Sequence, residues 1–358
     1  MTVTDERLAL PPPPPHSTPV KAAKPPRRRS ELTRGDKVVR AVLLVAAIIP
    51  AFALAFLAYE MLREAYPAIR FNGWHFFNGR TFTLGNLYSG TPVVRHGYQA
   101  PHGAKYGIGP LIFGTVISSL IALLFAVPIS VFGALLLVEK MPRRLQGALG
   151  VSLELLAGIP SVIFGLWGVY TFGPLLSRTV YKWMAKLGIP WLKGPAGSGQ
   201  GLLTASLVLA VMIIPIIASI TRELIRSVPK PAKEGAVAMG LTGVETARAV
   251  IFPYTRTGIF AASILGWARA LGETIAVLLI SGSFLNAYPK SIFDPFSSLA
   301  GTIAALLDAA FTDSTGMAKY ALAEVGLVLL LITMVTNFGG RWLTRRFSDA
   351  GLPVGAGF

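Results

Sequence analysis

The chain has 358 residues, of which 53% are hydrophobic and only 14% are charged, roughly half the charged share of a soluble globular domain. This composition excludes an ordinary soluble enzyme, and the absence of cysteine excludes disulfides, thiolate metal sites and cysteine nucleophiles. The 33 Lys and Arg residues exceed the 17 Asp and Glu residues by 16, and in so apolar a chain this excess indicates basic residues gathered on one side of a membrane rather than a nucleic-acid partner.

The N-terminal 37 residues differ in composition from the rest of the chain. They contain a proline run from Pro11 to Pro15 and a cluster of Lys and Arg residues that continues to Lys37. Such a segment has too little apolar surface to fold, so residues 1–37 are predicted to be a disordered cytoplasmic tail. This tail either fixes the orientation of the chain or also binds anionic lipid. Residues 349–358 are predicted to form a short tail at the other end.

Six apolar stretches are long enough to cross a bilayer as a helix, which takes about 20 residues. They run approximately over residues 41–62, 111–138, 149–176, 202–221, 258–282 and 321–340. The sequence therefore predicts an all-α integral membrane protein with six transmembrane helices. Pro160 lies inside the third stretch, where a proline kinks or interrupts the helix and frees backbone groups to face a cavity.

The distribution of basic residues predicts the orientation of these spans. Six spans place both termini on the same side of the membrane. With the N-terminus inside, 21 of the 33 Lys and Arg residues fall in inside segments. The positive-inside rule therefore predicts that both the N-terminus and the C-terminus are inside.

The segment at residues 63–108 is then predicted to be an outside loop. Its aromatic residues suit a membrane interface or a docking surface. Its histidines, His75, His96 and His102, have no carboxylate or cysteine pattern beside them, so no metal site is expected. Glu154 and Glu324 lie near span ends, where each either reaches the interface or faces a pathway.

The inside loop at residues 222–256 is amphipathic, unlike the apolar spans on either side. A short helix is expected to begin one residue before Glu234, which places this carboxylate in the first turn. Gly240 predicts a turn, and a second short helix is expected over residues 244–252, ended by Pro253. Such a helical hairpin is suited to docking into a groove of a partner protein.

Arg269 and Glu273 are charged residues inside the fifth stretch. A charge at the centre of a span costs about 2.5 to 3.5 kcal/mol, so an idle pair is not expected there. Their i, i+4 spacing predicts one shared helix face and an ion pair. Small residues line much the same face, which predicts that the pair faces the helix bundle; they are Gly258, Ala262, Gly266 and Ala270. Two roles stay open: a clamp between helices, or a site where Arg269 binds an anionic substrate and Glu273 orients it.

The inside loop resembles the EAA loop of type I ABC importer permeases. Glu234, Gly235 and Ala236 are followed after three residues by Gly240 and after nine more by Val-Ile-Phe-Pro253. The family pattern has Ala where this chain has Gly235. In the family this loop fits a cleft on the ATP-hydrolysing subunit, so the resemblance implies that these residues couple the chain to an ATPase.

Three further stretches are similar to the phosphate importer permeases of this family. Residues 269–277 match the signature R-A-L-G-E-T-x-A-V, and residues 155–168 and 320–329 match the third and last spans. The resemblance implies a MetI-like bundle, with a permease domain at about 38–348 and its type I core at about 109–340. It also implies a substrate pathway that includes Arg269 and Glu273. Thr274 favours phosphate over sulfate or molybdate.

The chain has no G-x-x-x-x-G-K-[ST] loop, so it is not expected to hydrolyse ATP or to bind a cofactor. The resemblance implies several partners in a bacterial cytoplasmic membrane. They are the lipid bilayer, a second permease subunit (PstA-like), an ATPase dimer (PstB-like) that uses ATP and Mg, and an extracytoplasmic phosphate-binding protein (PstS-like). No nucleic-acid partner is expected. A sulfate or molybdate permease and a self-sufficient ion-coupled transporter or channel remain as alternatives.

Overall fold

The computed structural model describes residues 34–88, 90–192, 197–286 and 288–349. The predicted tails therefore lie outside the described residues, apart from positions 34–37 and 349. The chain divides into two units after Leu54. The first unit contributes the start of α1 (Arg34–Asn72), and its apolar side chains, such as Phe52, are exposed.

The helices that follow α1 account for most of the second unit. They are α2 (His75–Asn78), α3 (Gly109–Glu139), α4 (Arg143–Ala157), α5 (Ser161–Trp167), α6 (Gly173–Arg178), α7 (Val180–Ala185), α8 (Leu202–Ser227), α9 (Lys230–Ala238), α10 (Gly243–Thr246), α11 (Phe252–Leu271), α12 (Ile275–Ile280), α13 (Leu299–Phe311) and α14 (Met317–Asp349). A π-helical turn at Gly168–Phe172 joins α5 to α6, another at Ala247–Ile251 joins α10 to α11, and a 3-10 turn at Pro190–Leu192 precedes α8.

Five helical segments of the described chain are long and apolar enough to cross a membrane. A sixth crossing results if α4 and the helical run Ser161–Ala185 count as one bent span. The prediction of a multi-pass helical membrane protein is thus confirmed, although one of its spans is not straight. The first span is also longer than predicted, because α1 continues to Asn72 rather than ending near residue 62.

The third span bends by 90° where α4 ends and α5 begins. The amide of Gly158 still donates to the carbonyl of Leu155, at 3.1 Å. Pro160 has no amide hydrogen and takes extended backbone angles, with φ −57° and ψ 137°. The helix cannot continue through such a residue, so the predicted interruption at Pro160 is confirmed.

The fifth span is also broken, which the sequence prediction of one helix over residues 258–282 missed. α11 ends at Leu271 and α12 begins at Ile275. Glycine is a weak helix former, and Gly272 caps α11 with its amide hydrogen-bonded to the Arg269 carbonyl at 3.2 Å. The hydroxyl of Thr274 donates to the Gly272 carbonyl at 3.2 Å, an alternative to the regular helical pattern.

The centre of the second unit is formed by α3, α8 and α11, with α5 and α12 packed beside them. Small residues on α11 let it approach α8 closely. A β-carbon at Gly266 would lie 2.8 Å from Ile217, and one at Gly258 would lie 2.5 Å from Leu224. The predicted small-residue face is therefore the face that packs on α8.

The N-terminal end of α8 is held by the segment that follows α12. The amides at positions 201–203 donate to the carbonyls of Ile280, Asp294 and Ile292, at 3.1, 3.1 and 2.8 Å respectively. The first amides of a helix have no acceptor within the helix itself. Here the neighbouring segment supplies those acceptors.

The loop before α8 is closely packed where the structure describes it. Gly199 has φ +88°, and a β-carbon there would overlap the backbone of Gly173. The hydroxyl of Thr204 donates to the Gly199 carbonyl and is also hydrogen-bonded to the Tyr181 hydroxyl. Residues 193–196 of this loop lie outside the described residues.

The segment between α1 and α3 folds into two small antiparallel sheets packed on the ends of α1 and α14. Its strands are β1 (Phe82–Thr83), β2 (Val93–Arg95), β3 (Tyr98–Ala100) and β4 (Lys105–Tyr106), with β1 paired to β4 and β2 to β3. Asn72 donates to the buried Glu324 carboxylate at 2.9 Å, tying α1 to α14. Burial, with a smaller contribution from the Asp313 carboxylate, raises the pKa of Tyr106 above its usual range. This segment is therefore a packed unit with its own core.

Candidate functional site

The loop between the fourth and fifth spans folds as a helical hairpin, called below the α9–α10 hairpin (residues 230–251). Gly240 lies at its turn in the left-handed region, with φ +85°. Its amide donates to the Val237 carbonyl at 2.9 Å, and the amide of Leu241 donates to the Ala236 carbonyl at 3.2 Å. This pair of bonds is the Schellman motif, which ends a helix at a glycine. The predicted turn at Gly240 is confirmed.

The second arm of the hairpin begins with a capping box. The amide of Thr242 donates to the Glu245 carboxylate at 2.7 Å, and the Thr242 hydroxyl accepts from the Glu245 amide at 3.4 Å. The T-x-x-E sequence is a known signature of this motif, and it went unused in the sequence prediction.

Pro253 does not end this second arm, so that part of the prediction is wrong. The helix runs on through the π-helical turn Ala247–Ile251 into α11. In this turn the amide of Phe252 bonds to the carbonyl of Ala247, five residues earlier. Pro253 then occupies the first turn of α11, where a missing amide hydrogen costs little. The hairpin is thus continuous with the helix that carries Arg269.

The first arm of the hairpin is anchored to the ends of α3 and α8. The Lys233 ammonium lies 2.6 Å from the Glu139 carboxylate and donates to the Ile225 carbonyl at 3.2 Å. A cavity of about 530 Å³ remains between the hairpin and the end of α3, and its lining includes Lys140 and Thr246. The first arm is therefore anchored through Lys233, and a cavity separates part of the hairpin from the end of α3.

The tip of the hairpin presents apolar side chains to the surroundings. Val237, Met239 and Val244 are 61, 76 and 77% exposed. Glu234 and Gly235 are also on the exposed surface, whereas Ala236 is buried. Exposed apolar side chains rimmed by charge are typical of a surface that docks another protein.

Arg269 lies near the end of α11, with its side chain exposed on the surface of this chain. No hydrogen bond or ion pair joins it to Glu273 among the described residues. The predicted shared helix face does not exist, because α11 ends before Glu273. Arg269 also does not share the face of Gly266 and Ala270, which is buried against α8. Arg269 therefore lies on the outer surface of this chain, and the prediction that the pair faces the helix bundle rather than lipid stays a prediction.

The position of Arg269 is set by neighbours on both sides. The indole Nε1 of Trp267 donates to the Ser119 hydroxyl on α3 at 3.0 Å. Ala270 and Leu271 are buried at 4 and 1% exposure. Ser119 lies ten residues into α3, about 15 Å along its axis. The guanidinium is thus carried by a firmly packed helix end that lies beside the middle part of α3.

A guanidinium in such a place has a limited range of chemistry. It stays charged, and its planar fork of donors matches an oxyanion. Leaving it in hydrocarbon is costly, so it is suited to a polar cavity that an anion crosses. Glu273 is half-buried in the break after α11, four residues after Arg269 along the chain. Among the described residues the two side chains are not paired with each other.

The bend at Pro160 is connected to this region through α5. Gly165 of α5 lies against α12, where a β-carbon would come within 3.1 Å of the Ala276 Cα and 2.7 Å of Leu279. α12 directly follows the break that carries Glu273. The two interrupted spans therefore meet beside the candidate site, a contact that no local sequence signal could indicate.

Two kinds of comparison with known sequences give a consistent result. Residues 126–349 match the family described as binding-protein-dependent transport system inner membrane component. The phosphate transport system permease protein PstC 1 of Mycobacterium tuberculosis is 46% identical over 335 residues, covering 92% of this chain and 99% of that protein. The phosphate transport system permease protein PstC of Pasteurella multocida is 38% identical over 297 residues, covering 82% and 88%.

A solved structure shows the same fold at low sequence identity. It is a chain from the crystal structure of a bacterial alginate ABC transporter in complex with an alginate pentasaccharide-bound periplasmic protein. The TM-score is 0.54 and the identity 16%, over 88% of this chain and 98% of that one. The likeness concerns the fold of the chain alone.

Proposed function

Because this chain belongs to the binding-protein-dependent transport system inner membrane components, and to the phosphate transport permeases among them, we propose that it carries inorganic phosphate across the bacterial cytoplasmic membrane. It acts as one permease subunit of an ATP-driven importer. It has no catalytic activity of its own. The excess of basic residues in the predicted inside segments supports an orientation with both termini in the cytoplasm.

The exposed Arg269 guanidinium, next to the break in the fifth span, is the observation that carries the substrate assignment. It lies on the surface of this chain, where a second permease subunit would complete a cavity around it. The guanidinium attracts phosphate into that cavity and orients it through paired hydrogen bonds. Binding there must stay weak enough for release, because transport requires both steps.

The α9–α10 hairpin supplies the energy coupling in this proposal. Its exposed apolar tip, with Glu234, Gly235 and Gly240, docks on the ATPase subunit. ATP and Mg are used there, since no phosphate-binding loop occurs in this chain. The hairpin is continuous with α11, so its displacement reaches Arg269 directly. An extracytoplasmic phosphate-binding protein delivers the substrate from the other side.

The experiment is ATP-dependent phosphate uptake into proteoliposomes that contain the chain with its second permease subunit, ATPase and binding protein. Arg269→Ala should lower uptake by about 10- to 150-fold, the equivalent of a charged hydrogen-bond donor worth about 1.5 to 3 kcal/mol. Arg269→Lys keeps the positive charge but removes the planar fork of donors, so this variant should retain part of the uptake. Arg341→Ala, an exposed arginine near the end of α14, is the matched control and should transport normally.

Three outcomes would contradict the proposal. Normal uptake by Arg269→Ala removes the guanidinium from the pathway. Inhibition of wild-type uptake by sulfate or molybdate at the same concentrations as phosphate would assign a different or broader oxyanion. Uptake without any ATPase subunit would show a self-sufficient transporter instead.

A further inference from the structure

A second set of polar contacts joins α4 to α8. These contacts lie on the same side of the molecule as the α9–α10 hairpin but are separate from it. Arg222 of α8 lies 3.6 Å from the Glu154 carboxylate of α4. Its side chain is only 11% exposed, although it is charged. One turn on, Arg226 donates to the side-chain oxygen of Gln146 at 3.4 Å. These contacts attach α4, at Gln146 and at Glu154, to the last turns of α8.

Gly150 explains how the buried guanidinium fits between the two helices. A β-carbon on Gly150 would overlap the Nη1 atom of Arg222. The guanidinium thus lies directly on the backbone of α4, in the space that a β-carbon at position 150 would occupy, so any larger residue must displace it. By contrast, Gly147 on the same helix has no neighbour within 4 Å of a β-carbon. The glycine at position 150 is therefore part of the contact, and the one at 147 is not.

The same end of α8 is also in contact with the hairpin. Lys233 of α9 donates to the carbonyl of Ile225, which lies between Arg222 and Arg226 on α8. The side-chain amide of Gln146 in turn donates to the Met141 carbonyl at 2.9 Å, just beyond the end of α3. The hairpin, α8 and α4 are therefore joined by one continuous set of polar contacts.

α4 leads from these contacts to the candidate substrate site. It ends at the 90° bend before Pro160, and α5 beyond the bend packs on α12 through Gly165. Without a firm attachment to α8, α4 could pivot at its own bend and the displacement would be lost there.

We propose that Arg222 is a positioning residue that makes α4 move together with α8, so that motion of the hairpin reaches the bend at Pro160. This proposal rests on the proposed function. The ion pair with Glu154 contributes little by itself, because that carboxylate is 65% exposed to solvent. The fit of the guanidinium against Gly150 provides the attachment.

The first test measures phosphate transported per ATP hydrolysed in the reconstituted four-component complex. Gly150→Ala displaces the guanidinium but leaves every charge in place. It should lower this ratio by about 2- to 30-fold, the range of coupling energies for such networks, with the ATPase rate and subunit assembly retained. Gly147→Ala is the matched control and should leave the ratio unchanged. A normal ratio in Gly150→Ala would overturn the proposal.

A second variant covers the case in which Gly150→Ala fails to assemble. Arg222→Lys keeps the charge but loses the planar group that lies on Gly150. It should uncouple transport from ATP hydrolysis in the same way. Full coupling in Arg222→Lys would show that the guanidinium fit is irrelevant.

A distance measurement tests this proposal independently of which substrate is transported. The chain contains no cysteine, so spin labels can be placed at Ser152→Cys on α4 and Ser227→Cys at the end of α8. The distance between them should be the same without nucleotide and with ATP, and it should broaden or shift with ATP when Gly150→Ala is added. A wild-type distance that changes with ATP would refute the joint motion. If these distances behave as expected while wild-type phosphate uptake fails, only the proposed substrate is wrong.

Discussion

Replacing Gly240 by alanine should weaken the attachment of the ATPase without unfolding the membrane bundle. Gly240 has φ +85°, and a β-carbon there would meet no atom within 4 Å. The added methyl group therefore causes no collision. Its whole effect is the cost of holding an L-residue in the left-handed conformation, about 1 to 2 kcal/mol.

This cost falls on the turn of the α9–α10 hairpin. If the hairpin must keep its turn to dock, a penalty of about 1 to 2 kcal/mol lowers the affinity for the ATPase by up to about 5- to 30-fold. Asparagine tolerates the left-handed region better than alanine, so Gly240→Asn should weaken binding less. Gly240→Trp carries the same strain and adds bulk at the docking surface.

A glycine in the middle of α9 offers the matched control. Gly235 is exposed, has no neighbour within 4 Å of a β-carbon, and has no positive φ. Gly235→Ala should stabilise the helix by about 0.5 to 1 kcal/mol. An added methyl group is therefore expected to stabilise the hairpin at position 235 and to destabilise it at position 240, five residues later.

Titration of the purified ATPase onto the permease pair in nanodiscs measures this difference. Gly235→Ala should bind the ATPase at least as tightly as wild type. Gly240→Asn should bind more weakly than wild type, and Gly240→Ala should bind more weakly still. Equal affinities for wild type and Gly240→Ala would refute the reasoning, because the turn would then play no part in docking. A loss of affinity in Gly235→Ala would show that the surface of α9, not its stability, decides the contact.

Other substitutions test further parts of the structure. Thr242→Ala removes the capping box and should cost about 0.5 to 2 kcal/mol of hairpin stability, seen as faster amide exchange at the start of α10. Asn72→Leu leaves the buried Glu324 carboxylate without its hydrogen bond, at a cost of about 1 to 3 kcal/mol of stability. The thermal midpoint of the solubilised complex should therefore fall, and an unchanged midpoint would contradict the pairing. Gly199→Ala should prevent stable folding around Gly173, measured as loss of monodisperse protein, because backbone atoms rather than flexible side chains occupy the space.

Local signals in the sequence were sufficient to predict the multi-pass helical class, the interruption at Pro160 and the turn at Gly240. The interruption at Pro160 follows from a missing amide hydrogen, and the turn at Gly240 follows from its conformational freedom. Both effects act within a few residues. The multi-pass helical class likewise follows from the length of apolar stretches, which the bilayer thickness fixes.

The errors arose where two local signals compete or where distant residues decide. A proline normally ends a helix, but the π-helical turn before Pro253 lets the helix continue. Arg269 and Glu273 have the spacing of a helical pair, but Gly272 between them ends the helix. The exposure of Arg269 depends on how α11 rotates against α8, which the positions of Gly258 and Gly266 decide through contacts with side chains on another helix.

The hydrogen bonds from the start of α8 to the segment after α12 determine which parts of the chain are able to move. The amides at positions 201–203 donate three backbone hydrogen bonds to that segment, and we expect these bonds to hold the start of α8 and the end of α12 together. A transport cycle then has two flexible joints available in this region, the bend before Pro160 and the break around Gly272. These three amides should exchange with deuterium slowly in every state of the cycle, whereas amides at the two joints should change their exchange rates when ATP binds.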